Sequence, residues 1–92
     1  MIEFLIVLEE TDGSDNDLTG RQASKIFRHP TIPDIGHQVI IDGNGYPVRE
    51  IEHWLGEPVN ERDPPIRVLV PWSRNDFESL WNDDLWHKEN FG

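Results

Sequence analysis

The pattern of apolar and polar positions in the first third of the chain predicts a strand, a polar loop and a second element. Residues 2–8 are almost uniformly apolar and rich in β-branched side chains, which favours a short strand covered on both faces. Residues 11–20 are rich in Asp, Asn, Ser and Gly, a composition typical of a loop. Residues 18–27 are compatible with an antiparallel return strand or with a short helix. We favour the strand, because Ile26 and Phe27 lead directly into a proline-containing segment.

The middle of the chain predicts a β-hairpin. Two prolines exclude a helix from residues 30–37, and the short apolar run at residues 38–41 favours a strand. Residues 42–45, Asp-Gly-Asn-Gly, are the strongest turn signal of the chain. Asn44 and Gly45 suit a type I′ hairpin, in which both central residues need a positive φ. We expect the return strand at residues 46–54, paired antiparallel with the first strand of the hairpin.

The predicted return strand alternates imperfectly between apolar and polar positions. A bulge near Glu50 would bring Val48 and Ile51 to the same, core-facing side. Residues 56–65 are polar and contain several prolines, which predicts a second loop. Residues 66–70 are apolar and rich in β-branched side chains, and they predict one more strand.

From Ser73 onward the apolar period changes from that of a strand to that of a helix. Asp76 follows Ser73 by three residues, which resembles a helix N-cap. One helical stripe is formed by Phe77, Leu80, Trp81 and Leu85. Asp83 and Asp84 lie off this stripe. We therefore predict a C-terminal helical segment at residues 71–92.

Length and composition limit the fold to a small domain. The chain has 92 residues and no cysteine, so we expect a single domain at residues 1–92 without a disulfide. The predicted class is mainly β, a small barrel or half-barrel of about five antiparallel strands at residues 1–70. We expect an amphipathic helix at residues 71–92 to complete the domain. If residues 18–27 are helical, the alternative is an α+β fold with a second helix.

Two stretches of the sequence resemble a known type of domain. Residues 33–41 are Pro-Asp-Ile-Gly-His-Gln-Val-Ile-Ile, and residues 45–51 are Gly-Tyr-Pro-Val-Arg-Glu-Ile. They resemble small SH3-like β-barrels of bacterial and phage proteins, in which a hydrophobic-Gly-Asp turn introduces a strand and the hairpin returns through Tyr-x-Val-x-x-Val. His37 stands where this pattern usually has an acid. The resemblance implies a barrel over residues 1–70 that serves as an interaction module, a class with many functions.

The charge of the chain is strongly negative. Eighteen acidic residues face eight basic ones, which gives a formal net charge of −10. A field of this sign repels nucleic-acid phosphates and anionic membranes, and it attracts basic protein surfaces. A charge of this size is equally expected if it serves only to keep the protein soluble. Partner binding and solubility therefore both stay open as its role.

The location follows from the same features of the sequence. No apolar run approaches the roughly 20 residues that a transmembrane helix needs. Glu3 stands where a signal peptide would carry basic residues. We expect a cytoplasmic protein that binds neither a nucleic acid nor a membrane directly.

The sequence contains no pattern of catalytic or metal-binding residues. The four histidines are His29, His37, His53 and His87. They lack the short-spaced pair that anchors most metal sites. The acidic stretch that begins at Asp12 fails the spacing of an EF-hand, because its sixth position is Asp17 and its twelfth is Ala23. With no nucleophile elbow and no phosphate-binding glycine loop, we expect no enzyme, no metal and no cofactor.

The aromatic residues of the C-terminal segment divide into two groups. We expect four large apolar residues to cover the open end of the barrel: Trp72, Phe77, Leu80 and Trp81. Trp86 and Phe91 are harder to bury with them, and we expect both to be exposed beside Asp83 and Asp84. Exposed aromatic side chains ringed by acids are typical of a hot spot for a basic partner.

These features predict a non-catalytic, acidic protein-binding domain that occupies a basic, nucleic-acid-binding surface of a partner protein. In size, charge and lack of catalytic motifs the chain resembles acidic inhibitors encoded by phages and mobile elements, such as anti-CRISPR and anti-restriction proteins. This implies that carboxylates stand in for phosphates and pair with Arg and Lys of the partner. The candidate partner-binding residues are Asp12, Asp15, Asp17, Asp83, Asp84 and Trp86. The alternative is a structural or adaptor subunit of a larger complex, and the oligomeric state is open.

Overall fold

The structure, a computed structural model, describes residues 1–12, 18–56 and 63–91, except for the side chains of residues 74–76. The described chain is mainly β and includes a short helix, which confirms the predicted class. In chain order the elements are β1 (Ile2–Thr11), β2 (Leu18–His29), β3 (Gln38–Ile41), β4 (Asn44–Pro47), β5 (Glu50–His53), β6 (Ile66–Ser73), α1 (Arg74–Trp81) and β7 (His87–Asn90).

The main sheet is open and mixed. Its five strands lie in the order β5-β6-β1-β2-β7, and a separate two-stranded sheet is formed by β3 and β4. The central strand β1 pairs antiparallel with β2 and parallel with β6. The main sheet is not closed, so the closed form of the predicted barrel or half-barrel is wrong, and the parallel β1–β6 pair corrects the prediction that all strands are antiparallel. Closure fails because the β3–β4 hairpin leaves the main sheet and the short strands β5 and β7 stay at opposite edges.

One face of β1 carries most of the hydrophobic core. Phe4, Ile6 and Leu8 alternate on this face, and Val68 and Val70 of β6 lie opposite Ile6 and Leu8. The same buried cluster is completed by Ala23, Val39, Val48, Trp72, Phe77, Leu80 and Trp86. Burial of each large side chain stabilises the fold by roughly 1.5–3 kcal/mol.

The opposite face of β1 is also buried, as its unbroken apolar run predicts. Leu5 and Val7 form a smaller cluster there with Leu69 of β6. A strand in the middle of a sheet with both faces covered needs no polar alternation. The apolar run therefore identified the central strand of the protein.

Residues 18–27 belong to strand β2, which confirms the favoured interpretation. Ile26 lies opposite Leu5 of β1, and Phe27 lies opposite Phe4. The helical alternative, and with it the α+β fold, is wrong. The strand is more favourable than the helix here because antiparallel pairing with β1 brings Phe27 to the edge of the main core.

The hairpin turns two residues earlier than predicted. Asp42 and Gly43 hold the turn, with φ of 52° and 84°, whereas Asn44 and Gly45 lie in β4. This register places Tyr46 opposite Val39, and the Tyr46 ring lies 4.4 Å, centroid to centroid, from the buried ring of Trp72. The packing of Tyr46 against Trp72 therefore sets the register of the hairpin, and the turn forms at Asp42-Gly43 rather than at Asn44-Gly45.

The predicted return strand is two strands that belong to different sheets. β4 ends at Pro47, and the chain crosses to the main sheet through Val48 and Arg49. The Val48 N–H donates to the His37 carbonyl oxygen at 2.8 Å, and the Arg49 N–H donates to the Leu69 carbonyl oxygen at 2.9 Å. Val48 is buried as expected, but the predicted bulge is a crossing point between sheets.

The helix is shorter than predicted and does not end the chain. It stops at Trp81, and the Asp83 side chain accepts the Leu85 N–H at 2.9 Å in the turn that follows. That turn leaves Leu85 exposed, against the predicted stripe. The chain then returns as β7, which pairs with β2, so a helical segment through residue 92 is not confirmed. Over the described residues, no helix has the length and apolarity needed to cross a bilayer.

Gly43→Ala is expected to lower the free energy of unfolding by about 1 kcal/mol, because a side chain disfavours a φ of +84°. A Cβ at Gly43 meets no atom within 4 Å, so the cost comes from the backbone alone. Urea unfolding followed by tryptophan fluorescence measures it. Gly56→Ala is the matched control, since its Cβ also meets nothing and its φ is not positive. Equal effects at both glycines would contradict the turn assignment.

Candidate protein-binding surface

A buried carboxylate at the end of β1 organises the first ion-pair network. The side chain of Glu10 is 2% exposed. The Arg21 Nε donates to Glu10 Oε1 at 3.1 Å, and Arg21 Nη2 donates to Glu10 Oε2. Thr19 Oγ1 donates to the same Oε1 atom at 2.6 Å. These donors hold the charge of Glu10 inside the protein, where an unpaired carboxylate would be costly.

Arg21 also connects the sheet to helix α1. Its Nη2 donates to Glu78 Oε1 at 2.6 Å, and its guanidinium carbon lies 4.7 Å from the ring centroid of Trp81. The hydrogen bonds that Arg21 donates to Glu10 and then to Glu78 raise the pKa of Arg21 above its ordinary value, so the guanidinium stays charged. One cation therefore contacts two carboxylates, so the group of three keeps one negative charge, and the guanidinium also covers the Trp81 ring beside the core.

A second buried carboxylate, Glu9, lies on the opposite face of β1. Arg49 Nη2 donates to Glu9 Oε1. Burial raises the pKa of Glu9 above its usual range, and this effect outweighs the attraction of Arg49, which lowers it. The negative charges of Glu50 and Glu52 add to the rise. The ion pair thus compensates only part of the cost of burying this charge.

The other described cations are also engaged within the molecule. Arg28 Nε lies 3.0 Å from Glu3 Oε2, and Arg67 Nη2 lies 3.6 Å from Asp63 Oδ2. Two lysines complete the set: Lys25 Nζ lies 5.7 Å from the Trp86 ring centroid, and Lys88 Nζ lies 3.9 Å from Asp84 Oδ1. Every arginine side chain that the structure describes is thus paired with a carboxylate, and the positive charge forms no patch of its own.

Four exposed carboxylates have no cation within 4.0 Å in the described part of the chain. We call them the surplus carboxylates: Asp12, Asp34, Asp42 and Glu50. Asp34 and Asp42 stand on either side of β3, Asp12 follows β1, and Glu50 begins β5. In the described part of the chain, these four carboxylates therefore lie at or near the ends of strands.

The acidic residues that the sequence identified as candidates differ in exposure and in contacts. Asp12 and Asp84 are exposed, and Asp84 lies near Lys88. Asp83 is half-buried and holds the turn after α1 through its bond to the Leu85 N–H. Asp12 directly follows β1, whereas Asp83 and Asp84 lie in the turn after α1. Asp15 and Asp17 lie outside the described residues.

The expected exposure of Trp86 is wrong. Its side chain is buried to 4% exposure, and its ring lies 6.0 Å, centroid to centroid, from the ring of Phe27. The turn at Asp83 causes this, because the Asp83 carbonyl accepts the Trp86 N–H at 3.2 Å and directs the chain back over the sheet. Phe91 is exposed, as expected.

Sequence reasoning missed the exposed apolar side chains around β3. Ile40 is 68% exposed and Ile35 is 63% exposed, whereas Val39 between them is buried. The signal was present in the alternation of residues 38–41, of which one face alone can enter the core. The sequence hides this alternation because residues 39–41 are all apolar, so that exposed and buried positions carry the same kind of side chain.

Within the described ranges, no group of three His, Asp or Glu side chains is placed to share a metal ion. The histidine rings make local bonds instead. His37 Nδ1 accepts the Asp34 N–H at 3.2 Å, and a His87 ring nitrogen lies 2.9 Å from Glu89 Oε1. Glu9, a buried carboxylate whose pKa is raised by desolvation, is engaged by an arginine.

Arg21→Ala is expected to lower the free energy of unfolding by about 3 kcal/mol, because it leaves Glu10 buried without its cation. Replacing both partners, with Glu10→Met and Arg21→Met, should recover most of that loss. Arg28→Ala, at the solvated pair with Glu3, is the control and should cost no more than about 0.5 kcal/mol. Chemical denaturation measures all three. A small cost at Arg21 would show that the buried pair is not structural.

Glu9→Gln is expected to stabilise the protein more as the pH rises. Between the ordinary value of 4.5 and the raised pKa of Glu9, the folded protein holds a proton that the unfolded chain has released. A rise in pH through this window therefore favours unfolding of the wild type, and the variant escapes this loss. Urea midpoints at about pH 4 and about pH 7 measure the difference. An advantage of the wild type that grows with pH would mean that Arg49 outweighs burial.

Comparison of the chain with family models, with curated proteins and with solved structures finds no match.

Proposed function

We propose that this chain is a non-catalytic, acidic protein-binding domain that occupies a basic, nucleic-acid-binding surface of a partner protein. The observation that carries the proposal is the distribution of charge. The described arginines are paired internally with carboxylates, so the surplus carboxylates face solvent with no cation from the described residues within 4.0 Å. A surface of this kind attracts cationic partners and repels nucleic acids.

Recognition rests on carboxylates that replace phosphates. A carboxylate offers two oxygen acceptors to an arginine fork, which is the geometry that phosphate also offers. Asp12, Asp34, Asp42 and Glu50 are exposed and can accept such donors, and Asp34 would do so beside the bond that its Oδ1 accepts from the Ile35 N–H at 2.8 Å. A partner whose Arg and Lys side chains normally hold a nucleic-acid backbone would therefore bind here in competition with it. This is the mode of action of the inhibitor class named above.

The exposed acids of the sequence-based site remain part of the proposal. Asp12 is shared by both sets. Asp84 is exposed, and its neighbour Lys88 lies 3.9 Å away, so it contributes less to the surplus. Trp86 is withdrawn as the anchor because it is buried, and the exposed apolar side chain of Ile40 is a better candidate for that role.

Neutralising the four surplus carboxylates (Asp12→Asn, Asp34→Asn, Asp42→Asn and Glu50→Gln) is expected to weaken partner binding at least about tenfold, because each supplies attraction in the encounter. The wild type and the variant are immobilised, and proteins are captured from a host lysate at low and moderate salt. Captured proteins are expected to be nucleic-acid-binding and to be released by added duplex DNA or RNA.

The matched control replaces an internally paired acid and base together, with Glu3→Gln and Arg28→Gln, which leaves the net charge unchanged. It should capture the same proteins as the wild type. Capture that survives salt, nucleic-acid competition and the fourfold neutralisation would contradict the electrostatic proposal.

A structural or adaptor subunit is the second candidate, and one observation favours it. Several large apolar side chains are more than half exposed: Ile35, Ile40, Leu55, Leu85 and Phe91. A partner held through these residues would be retained at moderate salt and would not be displaced by nucleic acid. The same capture experiment therefore separates the two functions.

A further inference from the structure

Strand β3 has an open backbone edge. It pairs with β4 on one side, and no backbone hydrogen bond joins its other side to any described residue. The main sheet runs nearby but does not incorporate the hairpin. An unpaired strand edge presents a row of N–H and C=O groups that can pair with another chain.

The alternation of hydrogen-bonded and non-bonded pairs along the β3–β4 ladder shows which residues of β3 direct their backbone N–H and C=O groups to the open edge. Val48 N–H donates to the His37 carbonyl, which makes His37 and Val48 a bonded pair. Bonded and non-bonded pairs alternate along an antiparallel ladder, so Val39 and Ile41 are bonded to β4 whereas Gln38 and Ile40 are not. Pro47, opposite Gln38, has no N–H to donate, which agrees with this alternation. Gln38 and Ile40 therefore direct their backbone groups outward.

A cavity of about 320 Å³ lies along the same strand. Its lining includes all four residues of β3 and the apolar side chains Phe4, Ile6, Phe27 and Pro33. A strand added beside β3 would place alternate side chains on the two faces of the hairpin. One set would enter this cavity, and the other would pack against the exposed side chain of Ile40. Arg28 also lines the cavity, but its charge is balanced by Glu3.

The charges around β3 indicate what kind of strand fits. Asp34 precedes β3 and Asp42 follows it, and both are surplus carboxylates. A segment bound beside β3 would thus lie near one of these two aspartates at each of its ends, and its middle would lie against apolar surface of this protein. Aliphatic residues at alternate positions, flanked by Lys or Arg, complement this arrangement.

We propose that β3 binds an extended segment of a partner protein as an added β-strand, with aliphatic side chains in the middle and a Lys or Arg towards each end. The main-chain bonds to Gln38 and Ile40 supply affinity, and the cavity and the two aspartates supply selectivity. The cationic ends rest on the proposed function, whereas the strand addition does not.

Phage-displayed random nonapeptides selected on the full chain test this proposal. Selected peptides are expected to carry alternating aliphatic residues with basic residues at both ends. Ile40→Pro removes an outward N–H that the hairpin does not use, and proline is tolerated at a strand edge. It should weaken the selected peptides about tenfold, the value of one hydrogen bond of about 1.4 kcal/mol.

Ile40→Val is the matched control, because it keeps the N–H and also keeps the β-branched, apolar side chain that packs against the added strand. It should bind within about twofold of the wild type, since one N–H is the difference tested. Amide hydrogen exchange gives a second measurement. In the free protein the amides of Val39 and Ile41 should be protected and those of Gln38 and Ile40 should not. A bound peptide should protect the latter pair, and protected Val39 and Ile41 in Ile40→Pro would show that its hairpin is intact.

Three outcomes would overturn the proposal or part of it. Failure to select peptides, or equal binding by Ile40→Pro, overturns strand addition and leaves the electrostatic function standing on its own test. Selected peptides with the aliphatic pattern but no basic ends would support strand addition and overturn the cationic requirement, which counts against the proposed function as well.

Discussion

The interaction on which the rest of the molecule depends is the pairing of arginines with carboxylates beside the core. Glu10 lies at the end of the central strand, and Arg21 joins it to Glu78 and to the Trp81 ring. This connects β1, β2 and α1 over one end of the main core. Because buried charge must be balanced, the few cations of the chain are committed internally. The structural role of the arginines thus determines the negative surface of the protein.

The same constraint links fold to function. A chain with a formal charge of −10 has no need for internal ion pairs to remain soluble, yet its described arginines all contact carboxylates. The acids left over lie where strands begin and end, and two of them flank the open edge of β3. Under the proposed function, electrostatic attraction would bring a basic partner to the surface, and main-chain pairing on β3 would then give the encounter a defined register. The two proposals concern successive steps of one binding event.

The sequence predicted the parts of the fold that local pattern controls. The apolar run of β1, the strand at Phe27 and the burial of Phe77 and Leu80 followed from periodicity and proline placement. Other features depend on contacts that a single sequence does not contain. The Tyr46–Trp72 contact moved the hairpin turn to Asp42. The parallel pairing of β1 with β6 joins segments distant in the chain. The same limit explains the site: Asp12 was found by composition, whereas Trp86 was misplaced because the Asp83 turn buries it.

The most direct measurement of the central claim is an NMR titration of the isotope-labelled protein with a short oligolysine peptide at low salt. The account predicts that backbone shift changes concentrate around Asp12, Asp34, Asp42 and Glu50 and vanish when salt is added. Residues beside the internally paired acids Glu3, Glu10 and Glu78 should change little. Shift changes spread evenly over all exposed acids, or centred on those paired acids, would contradict the claim that internal pairing defines the recognition surface.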